Sequence, residues 1–271
     1  MENTSRDILF QMGIELDLPE LLRLCQSNNQ INSKLCQQNA IWNYRLKKDF
    51  GEYLDFQAQV EYPIFQEIYK RNKREYYIFL YQLNKIKTTW KLQYKLYQLY
   101  YFPALVLDHK SIKIIPKEIG QLHNLEILNL SNNQIESIPK EIGQLHNLQN
   151  LLLAFNNIKS IPKEIGELHN LQFLSLYNNQ IESIPKEIGQ LRNLKILYLN
   201  NNQIESIPKE IAQLHNLQSL ILSNNQIENI PKEIGDMKNL GTLYLFDNPI
   251  EDKEEVERWI KERKPNIRIE I

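Results

Sequence analysis

Apolar residues recur at a fixed interval of 23 residues through the second half of the chain. Each copy reads LxxLxLxxN, and the first complete copy begins at Leu125. Apolar and polar residues alternate across Leu128, Asn129 and Leu130, which is the period of a β-strand, so both leucines should face a core while Asn129 faces outward. The pattern therefore predicts one short strand in each copy.

The asparagine that closes each motif is predicted to have a structural role. It recurs as Asn133, Asn156, Asn179, Asn202, Asn225 and Asn248. The chain must bend at the same point in every copy, and an amide turned inward can pair with the backbone groups that the bend leaves open. One period earlier Leu105 and Leu107 precede Lys110, so a degenerate first copy begins near Phe102.

The second part of each copy is predicted to form one short helical turn. In residues 137–143 a proline and a carboxylate provide the start signal of a helix, and a glycine provides the stop signal. Ala212 takes the place of the glycine in one copy, from which we infer that the glycine is not obligatory.

The motif LxxLxLxxN at this period resembles the leucine-rich-repeat family over residues 102–250, in seven copies of which the first is degenerate. The resemblance implies an α/β solenoid with a parallel sheet on its concave side and short helical turns on its convex side. Residues 251–271 carry Val256, Trp259 and Ile260 on one face of an amphipathic helix, followed by an alternating strand. We predict that they form the C-terminal cap, because an end repeat would otherwise expose its leucines.

Residues 1–50 have a helical pattern instead, which predicts an all-α domain before the solenoid. Asp17 and Glu20 stand three apart and give a capping-type helix start. The order of apolar residues from Ile8 through Trp42 and Leu46 resembles an F-box or F-box-like motif, a short helical bundle that docks on the Skp adaptor of a cullin ubiquitin ligase. The resemblance implies that the adaptor would contact Leu9, Leu16, Leu18, Pro19 and Leu22.

Residues 51–101 are rich in tyrosine and, between Lys70 and Lys95, in basic residues. Basic residues among aromatic ones are also found in proteins that bind single-stranded nucleic acid. The spacing of Tyr76, Leu80 and Leu83 favours amphipathic helices with solvated lysines, and the region through Tyr101 is only slightly positive, with 14 Lys and Arg against 11 Asp and Glu. We expect a helical linker and N-terminal cap, and no nucleic-acid partner.

The composition indicates an intracellular protein. Two cysteines eleven residues apart do not form a disulfide framework, and the first ten residues lack the basic end and apolar core of a signal peptide. No window is apolar enough to cross a bilayer. We therefore expect a cytoplasmic location, in the cell that makes the protein or in a host cell, and no membrane partner.

The motifs of enzymes are missing from the sequence, which has no phosphate-cradling glycine loop, HExxH or GxSxG. His123, His146, His169 and His215 share one position of the repeat and stand as a possible metal ladder. Arg192 and Lys238 hold the same position in other copies, which favours a solvated side chain there. We expect no enzymatic activity, no cofactor and no metal.

The outward strand positions vary from copy to copy, and these positions are where a specific function is expected. Aromatic residues gather on them in two groups: Phe155, Phe173, Tyr177 and Tyr198 form the first group, and Tyr244 and Phe246 form the second. Exposed aromatic residues carry much of the energy of protein interfaces. They are predicted to bind a target protein on the concave face; the alternatives are that the rings pack on one another or contact another copy of the protein.

Together the two resemblances predict a protein-binding adaptor, an F-box-like substrate receptor for a cullin-type ubiquitin ligase that holds its target on the repeats. The alternative is a general leucine-rich-repeat interaction scaffold with no link to ubiquitin, in which the helical N-terminus acts only as a cap.

Overall fold

The computed structural model describes residues 39–50, 68, 71–94 and 96–271. Two compact units divide between Asn84 and Lys85. Among the described residues, no helix has the length and apolar character needed to span a bilayer. The adaptor-contact residues predicted above, Leu9, Leu16, Leu18, Pro19 and Leu22, lie outside the described ranges.

The first unit is helical where it is described. It contains α1 (Asn39–Phe50) and most of α2 (Lys73–Thr89). Trp42, Leu46, Tyr77 and Leu80 are buried, which matches their apolar spacing in the sequence.

The buried Tyr77 of α2 is hydrogen-bonded to two side chains of α1. The Tyr77 hydroxyl donates a hydrogen bond to Asp49 Oδ2 at 2.5 Å and accepts one from Arg45 Nη2 at 3.1 Å. The Trp42 ring lies 5.7 Å from the Tyr77 ring. Burial, followed by the hydrogen bond to Asp49, raises the pKa of Tyr77 far above its usual value near 10, because both favour the neutral phenol.

The second unit begins with the end of α2 and with α3 (Leu96–Tyr101), both ahead of the repeats. Trp90 Nε1 donates to the carbonyl oxygen of Ile114 at 2.9 Å, and Lys85 pairs with the buried Glu118 at 3.0 Å. The apolar residues Leu92, Leu96 and Leu99 of this segment are buried.

The repeats build one parallel sheet of eight strands in chain order. The strands are β1 (Ala104–Val106), β2 (Ile127–Asn129), β3 (Asn150–Leu152), β4 (Phe173–Ser175), β5 (Ile196–Tyr198), β6 (Ser219–Ile221), β7 (Thr242–Tyr244) and β8 (Arg268–Glu270). The register steps by one copy from strand to strand, so Leu128 pairs with Leu151 and Leu151 with Leu174. These leucines are fully buried, which confirms the predicted strand and its inward face.

The opposite side of each copy is a five-residue 3₁₀ turn, as predicted from the proline and glycine signals. The turns are Lys117–Gln121, Lys140–Gln144, Lys163–Glu167, Lys186–Gln190, Lys209–Gln213 and Lys232–Asp236. In the second of these, Pro139 has φ −69° and its carbonyl oxygen accepts from Ile142 N at 3.0 Å. The turn places Ile142 in the core. The fold class is confirmed: a leucine-rich-repeat-type solenoid preceded by helices.

The recurring asparagine has the structural role that its period predicts. Asn133 Nδ2 donates to the carbonyl oxygens of Leu107 and Leu130, both at 2.9 Å, and Asn133 Oδ1 accepts from Ile112 N at 2.9 Å. Leu107 and Ile112 belong to the preceding copy, so each asparagine joins two successive copies.

A second asparagine in each copy makes a similar bond that the sequence analysis did not anticipate. Asn147 Nδ2 donates to the carbonyl oxygen of His123 at 2.8 Å, and Asn170 Nδ2 donates to that of His146 at 2.8 Å. The asparagine of the repeated Leu-His-Asn triplet therefore holds the preceding copy, which explains why it does not vary while the neighbouring histidine does.

The inference that the glycine of each turn is not obligatory is wrong for most copies. A Cβ on Gly143 or Gly166 would lie 2.6 Å from the carbonyl oxygen of Glu164 or Glu187 in the next copy. Side chains do not reach so close to backbone atoms without a shift. Ala212 is accommodated where the turn Lys209–Gln213 packs less closely on the following turn than earlier turns do on theirs.

The C-terminal end of the sheet is covered by α4 (Lys253–Arg263) and extended by β8. Asp252 caps the helix by accepting from Glu255 N at 3.3 Å, and Ile260 is fully buried. The Lys264 ammonium donates to the carbonyl oxygens of Met237 and Lys238, and burial lowers the pKa of Lys264.

Candidate protein-binding surface

The outward side of the sheet, here called the sheet face, is made by three rows of side chains. Two of the rows run through β1 to β7, and the third is made by the residue two positions after the end of each strand. The first row is Ala104, Ile127, Asn150, Phe173, Ile196, Ser219 and Thr242; the second is Val106, Asn129, Leu152, Ser175, Tyr198, Ile221 and Tyr244; the third is Asp108, Ser131, Ala154, Tyr177, Asn200, Ser223 and Phe246.

The sheet face carries no charged side chain from β2 to Phe246, whereas charged residues make up 24% of the whole chain. The charges of this side lie at its two ends, as Asp108 before β2 and as Arg268 and Glu270 on β8. The opposite side bears a Lys-Glu pair in every 3₁₀ turn. Charge is therefore segregated, and the sheet face is the uncharged side of the solenoid.

The predicted aromatic residues meet in edge-to-face pairs. Ring centroids are 5.0 Å apart for Phe155 and Tyr177, and 5.5 Å apart for Phe173 and Tyr198, with interplanar angles of 74° and 86°. Such pairs stabilise their members by about 0.5–1.5 kcal/mol beyond the area they bury. The mutual packing that the sequence left open as an alternative is thus present, yet Phe155 keeps 45% of its surface exposed.

The two groups of aromatic residues are joined by a groove that the sequence did not indicate. Tyr177, Tyr198, Asn200, Ile221 and Tyr244 line an open groove of about 360 Å³. Tyr177 and Tyr198 come from the first group and Tyr244 from the second. Tyr244 also lies 6.4 Å from Phe246 and under the guanidinium of Arg268, at 5.2 Å.

Phe155 occupies a backbone position that is unfavourable for a bulky residue. Its φ is +54°, in the left-handed region, and the same slot in the other copies holds His109, Asn132, Asn178, Asn201, Asn224 and Asp247. Asn and Asp tolerate this region, whereas a large residue there is an outlier that costs about 1–3 kcal/mol. The sequence contained the signal, because a slot filled by Asn or Asp in most copies is typical of positive φ.

Not every position in the three rows is exposed. Four small residues of the rows, Ser131, Ala154, Ser175 and Ser223, are buried. The variable surface is narrower than the rows drawn from the sequence.

A second groove follows the side of the solenoid that leads into the strands. It has about 530 Å³ and is lined by six amide side chains, among them Asn147, Gln149, Asn170 and Gln172, and by the charged Glu126 and Lys195. The asparagine amides are held by the carbonyl oxygens of the preceding copy. This groove owes its polar lining to the inter-copy bonds, and no ring or uncommitted buried group lies in it.

The histidines of the repeat do not gather into a metal-binding group. His123, His146, His169 and His215 are exposed, as are Arg192 and Lys238 at the same position. Within the described ranges, no three His, Cys, Asp or Glu side chains are close enough to hold one ion.

Comparisons with known proteins agree on the repeats. A family model described as a leucine-rich repeat region matches residues 151–253, and one described as a leucine rich repeat matches residues 104–158. No curated protein matches the chain.

Solved structures share the fold. The leucine-rich-repeat ectodomain of the plant membrane receptor kinase GASSHO1/SCHENGEN3 from Arabidopsis thaliana superposes with a TM-score of 0.54 at 35% identity, over 60% of this chain and 20% of that chain. An internalin from Listeria monocytogenes gives a TM-score of 0.54 at 28% identity, over 62% of this chain and 47% of the internalin. A TDR receptor gives a TM-score of 0.51 at 30% identity, over 57% of this chain and 27% of the receptor chain.

The chain spans less than half the length of each of these proteins. The region they share with it is the parallel sheet with its 3₁₀ turns. By its 23-residue pattern, its sheet and both matching family models, the region of residues 104–253 is a leucine-rich-repeat domain.

Proposed function

We propose that this chain is a non-enzymatic interaction scaffold that holds a partner protein against its sheet face. The observation that carries the proposal is the groove, lined by three tyrosines, Asn200 and Ile221, that joins the aromatic residues of neighbouring copies. Rings that stay partly exposed on a rigid sheet are the side chains that contribute most to protein interfaces. Solenoids commonly use an extended surface of this kind for binding.

One similar structure supports the proposal. The ectodomain of GASSHO1/SCHENGEN3 was solved in complex with CASPARIAN STRIP INTEGRITY FACTOR 2, so a related repeat domain accommodates a separate molecule. The side chains on this chain's sheet face are its own, and the partner is to be identified by experiment.

The test is affinity capture from cells with the wild type and with Phe173→Ala combined with Tyr198→Ala. These two rings form one edge-to-face pair on the sheet face. We expect the double variant to lose the captured partner while its circular dichroism spectrum is unchanged. The control is Lys163→Ala combined with Lys186→Ala on the 3₁₀ turns, which should capture the partner as the wild type does. Equal capture by all three proteins would place the binding site elsewhere.

A finer form of the proposal is that the chain recruits a cullin ubiquitin ligase through its first fifty residues. It rests on the F-box-like order of Leu9, Leu16, Leu18, Pro19 and Leu22. The scaffold role alone is the form that the repeats support, and it requires no ligase. In this proposal the chain acts inside a cell, its own or a host's, where such ligases are found.

A pull-down with a purified Skp-type adaptor tests the finer proposal. Wild-type chain should retain the adaptor, and Leu18→Asp combined with Leu22→Asp should release it, because a charge in an apolar contact is costly. No retention by folded wild-type chain would remove the ligase link and leave the scaffold role intact.

A further inference from the structure

We propose that two copies of this chain dimerise by pairing their β8 strands edge to edge and antiparallel, around a two-fold axis at Ile269. The surface involved is the open edge of the sheet, and the occupant of that edge is a second copy of the same chain. The pairing does not depend on the partner proposed above for the sheet face.

The edge of β8 has free peptide groups. Within the described part of the chain, the strand order ends at β8, and β8 pairs only with β7. Arg268 N donates to the carbonyl oxygen of Gly241 at 2.8 Å. On the other side of Ile269, the carbonyl oxygen of Glu270 accepts from Leu245 N at 2.7 Å. Since peptide groups alternate in direction along a strand, the N–H and C=O groups of Ile269 point away from β7, toward the place of a further strand.

The apolar layer under the sheet is incompletely covered at this edge. By the register of β7 and β8, Ile269 and Ile271 occupy the two core positions that Leu243 and Leu245 occupy one strand earlier. Both leucines are fully buried, whereas both isoleucines are only half-buried. The end of a solenoid needs a cover for its apolar side chains. A second β8 strand at this edge would bring the same isoleucines against them.

The charged residues of β8 are self-complementary in one antiparallel register. Around a two-fold axis at Ile269, Arg268 of each copy lies opposite Glu270 of the other copy, so the pair forms twice. Opposite charges on facing residues of two strands stabilise the pairing, and like charges there destabilise it. A slip of two residues in either direction would place Arg268 opposite Arg268 or Glu270 opposite Glu270. The charges therefore favour the register centred on Ile269 over its neighbours.

The peptide groups of the edge are compatible with this register. In an antiparallel ladder, two facing residues exchange both of their hydrogen bonds when their peptide groups point toward each other. Ile269 faces Ile269 of the second copy and meets this condition, so each N–H group can donate to the carbonyl oxygen of the other. A slip of one residue would bring in Arg268, whose N–H group is already bonded to Gly241.

Charged residues on an edge strand usually protect it from association, because two approaching copies repel each other. The charges of β8 do not have this effect when the strands are antiparallel. Arg268 Nη2 lies 3.6 Å from Glu270 Oε1 on the sheet face, and both side chains are exposed. Four charges of alternating sign can therefore meet across the axis without the desolvation cost of a buried ion pair.

The symmetry limits the assembly to two copies. A two-fold interface uses the same edge of both chains and leaves no second edge of this kind free, so it closes. It joins two eight-stranded sheets into one. The axis is perpendicular to the sheet, so the two sheet faces lie on the same side of the dimer. Pairing of β8 with β1 of the next copy would instead give an open filament.

The experiment is sedimentation velocity on the full-length chain over a series of concentrations. We expect a monomer–dimer equilibrium for the wild type and no larger species. Arg268→Glu and Glu270→Arg each place like charges opposite one another across the axis, and each should weaken the dimer at least about tenfold. The control is Lys163→Glu on the third 3₁₀ turn, which changes the net charge as Arg268→Glu does and should dimerise like the wild type.

Mixing the two charge variants tests the register. An equimolar mixture of the Arg268→Glu and Glu270→Arg chains brings opposite charges together again, so a heterodimer should form about as tightly as the wild-type dimer. A chain with both substitutions should also regain dimerisation. Hydrogen exchange gives a second readout, since the Ile269 amide should exchange more slowly in the dimer than in the monomer. A variant that failed to fold would not recover on mixing.

Each contrary outcome has a definite meaning. A wild-type chain that stays monomeric at the highest concentration reached would overturn the proposal. Species larger than a dimer would indicate head-to-tail pairing of β8 with β1, which overturns the two-fold arrangement. Undiminished dimerisation of both single variants, or a mixture that does not recover, would place the dimer interface on another surface.

Discussion

At the scale of single residues, one amide in each copy holds two copies together. Asn156 is 7% exposed, and its Nδ2 donates to the carbonyl oxygens of Leu130 and Leu153 at 3.0 Å each. Its Oδ1 accepts from Ile135 N at 2.9 Å. These three backbone groups have this side chain as a partner because the bend after the strand removes them from the sheet.

We predict that Asn156→Ala destabilises the repeat domain by about 2–4 kcal/mol. The substitution leaves the N–H of Ile135 unpaired, at a cost of about 1–3 kcal/mol unless water enters, and it removes one of the two amide donors from the carbonyl oxygens of Leu130 and Leu153. The measurement is urea denaturation followed by circular dichroism. Asn157→Ala is the matched control, because Asn157 is exposed and contributes only its backbone to the inter-copy bonds. Equal midpoints for the two variants would contradict the structural role.

A second prediction at this scale concerns pH and Tyr77. Burial raises the pKa of Tyr77 above the value near 10 of an exposed phenol. Above pH 10 the unfolded chain therefore binds fewer protons than the folded one, so the stability that this group provides is complete below pH 10 and falls as the pH rises further. The free energy of unfolding should fall by at most about 1.4 kcal/mol per pH unit because of this group. The substitution Tyr77→Phe should remove this pH-dependent part of the free energy of unfolding.

The measurement is urea unfolding of the first unit between pH 8 and 12. The fluorescence of Trp42 reports this unfolding, because the Trp42 ring lies 5.7 Å from the Tyr77 ring. Trp90 and Trp259 are replaced by Phe both in the chain that keeps Tyr77 and in the Tyr77→Phe variant, so that Trp42 is the one tryptophan left. The same pH slope with and without the Tyr77 hydroxyl would show that this group does not titrate as its environment implies.

At the scale of elements, the 3₁₀ turns set how closely the copies stack. We predict that Gly166→Ala lowers stability by about 1–3 kcal/mol, because its Cβ would meet the carbonyl oxygen of Glu187 at 2.6 Å and the two turns must separate. Thermal denaturation measures the change.

The control for this prediction is Ala212→Gly, which makes the fifth turn like the others. It should change stability by no more than about 1 kcal/mol, the usual difference between alanine and glycine. A neutral Gly166→Ala would mean that turns of this solenoid slide past each other at little cost.

The strands and turns were predictable because a period of 23 residues repeats one solution, and Leu128 or Asn133 shows its role in every copy. The role of Asn147 was not predictable, since its partner is a backbone carbonyl of the preceding copy, which no sequence pattern marks. The need for glycine was also hidden. Ala212 suggested tolerance, but that tolerance depends on the distance to the next turn, which is a property of two copies together.

The candidate surface could also be predicted from the sequence only in part. The aromatic residues were found from their variation, and the register of the strands confirms that they are neighbours. The groove depends on how the side chains of Tyr198 and Tyr244 are placed on either side of Ile221. Rotamers of this kind follow from packing and have no signature in the order of residues.

At the scale of the whole molecule, the repeat domain is a chain of interfaces that need not be equally strong. In a solenoid each copy contacts only its neighbours, so stability is nearly a sum of copies and junctions. Two structural features indicate that the junctions between the C-terminal copies are weaker. The turn Lys209–Gln213 packs less closely on Lys232–Asp236 than earlier turns pack on theirs. Asn133, Asn156, Asn179 and Asn202 each donate a main-chain N–H to the next copy at 3.2 Å, and no equivalent bond from Asn225 is found among the described residues.

We therefore predict that the domain opens from its C-terminal end. Native-state hydrogen exchange should give smaller opening free energies for the amides of Leu222 and Leu245 than for those of Leu153 and Leu176. All four amides donate to a neighbouring strand at 2.7–2.9 Å, so a difference would report the junctions and not the local bond. Equal protection at the four sites would mean that α4 and β8 compensate for the looser turn, and that the solenoid unfolds as one cooperative unit.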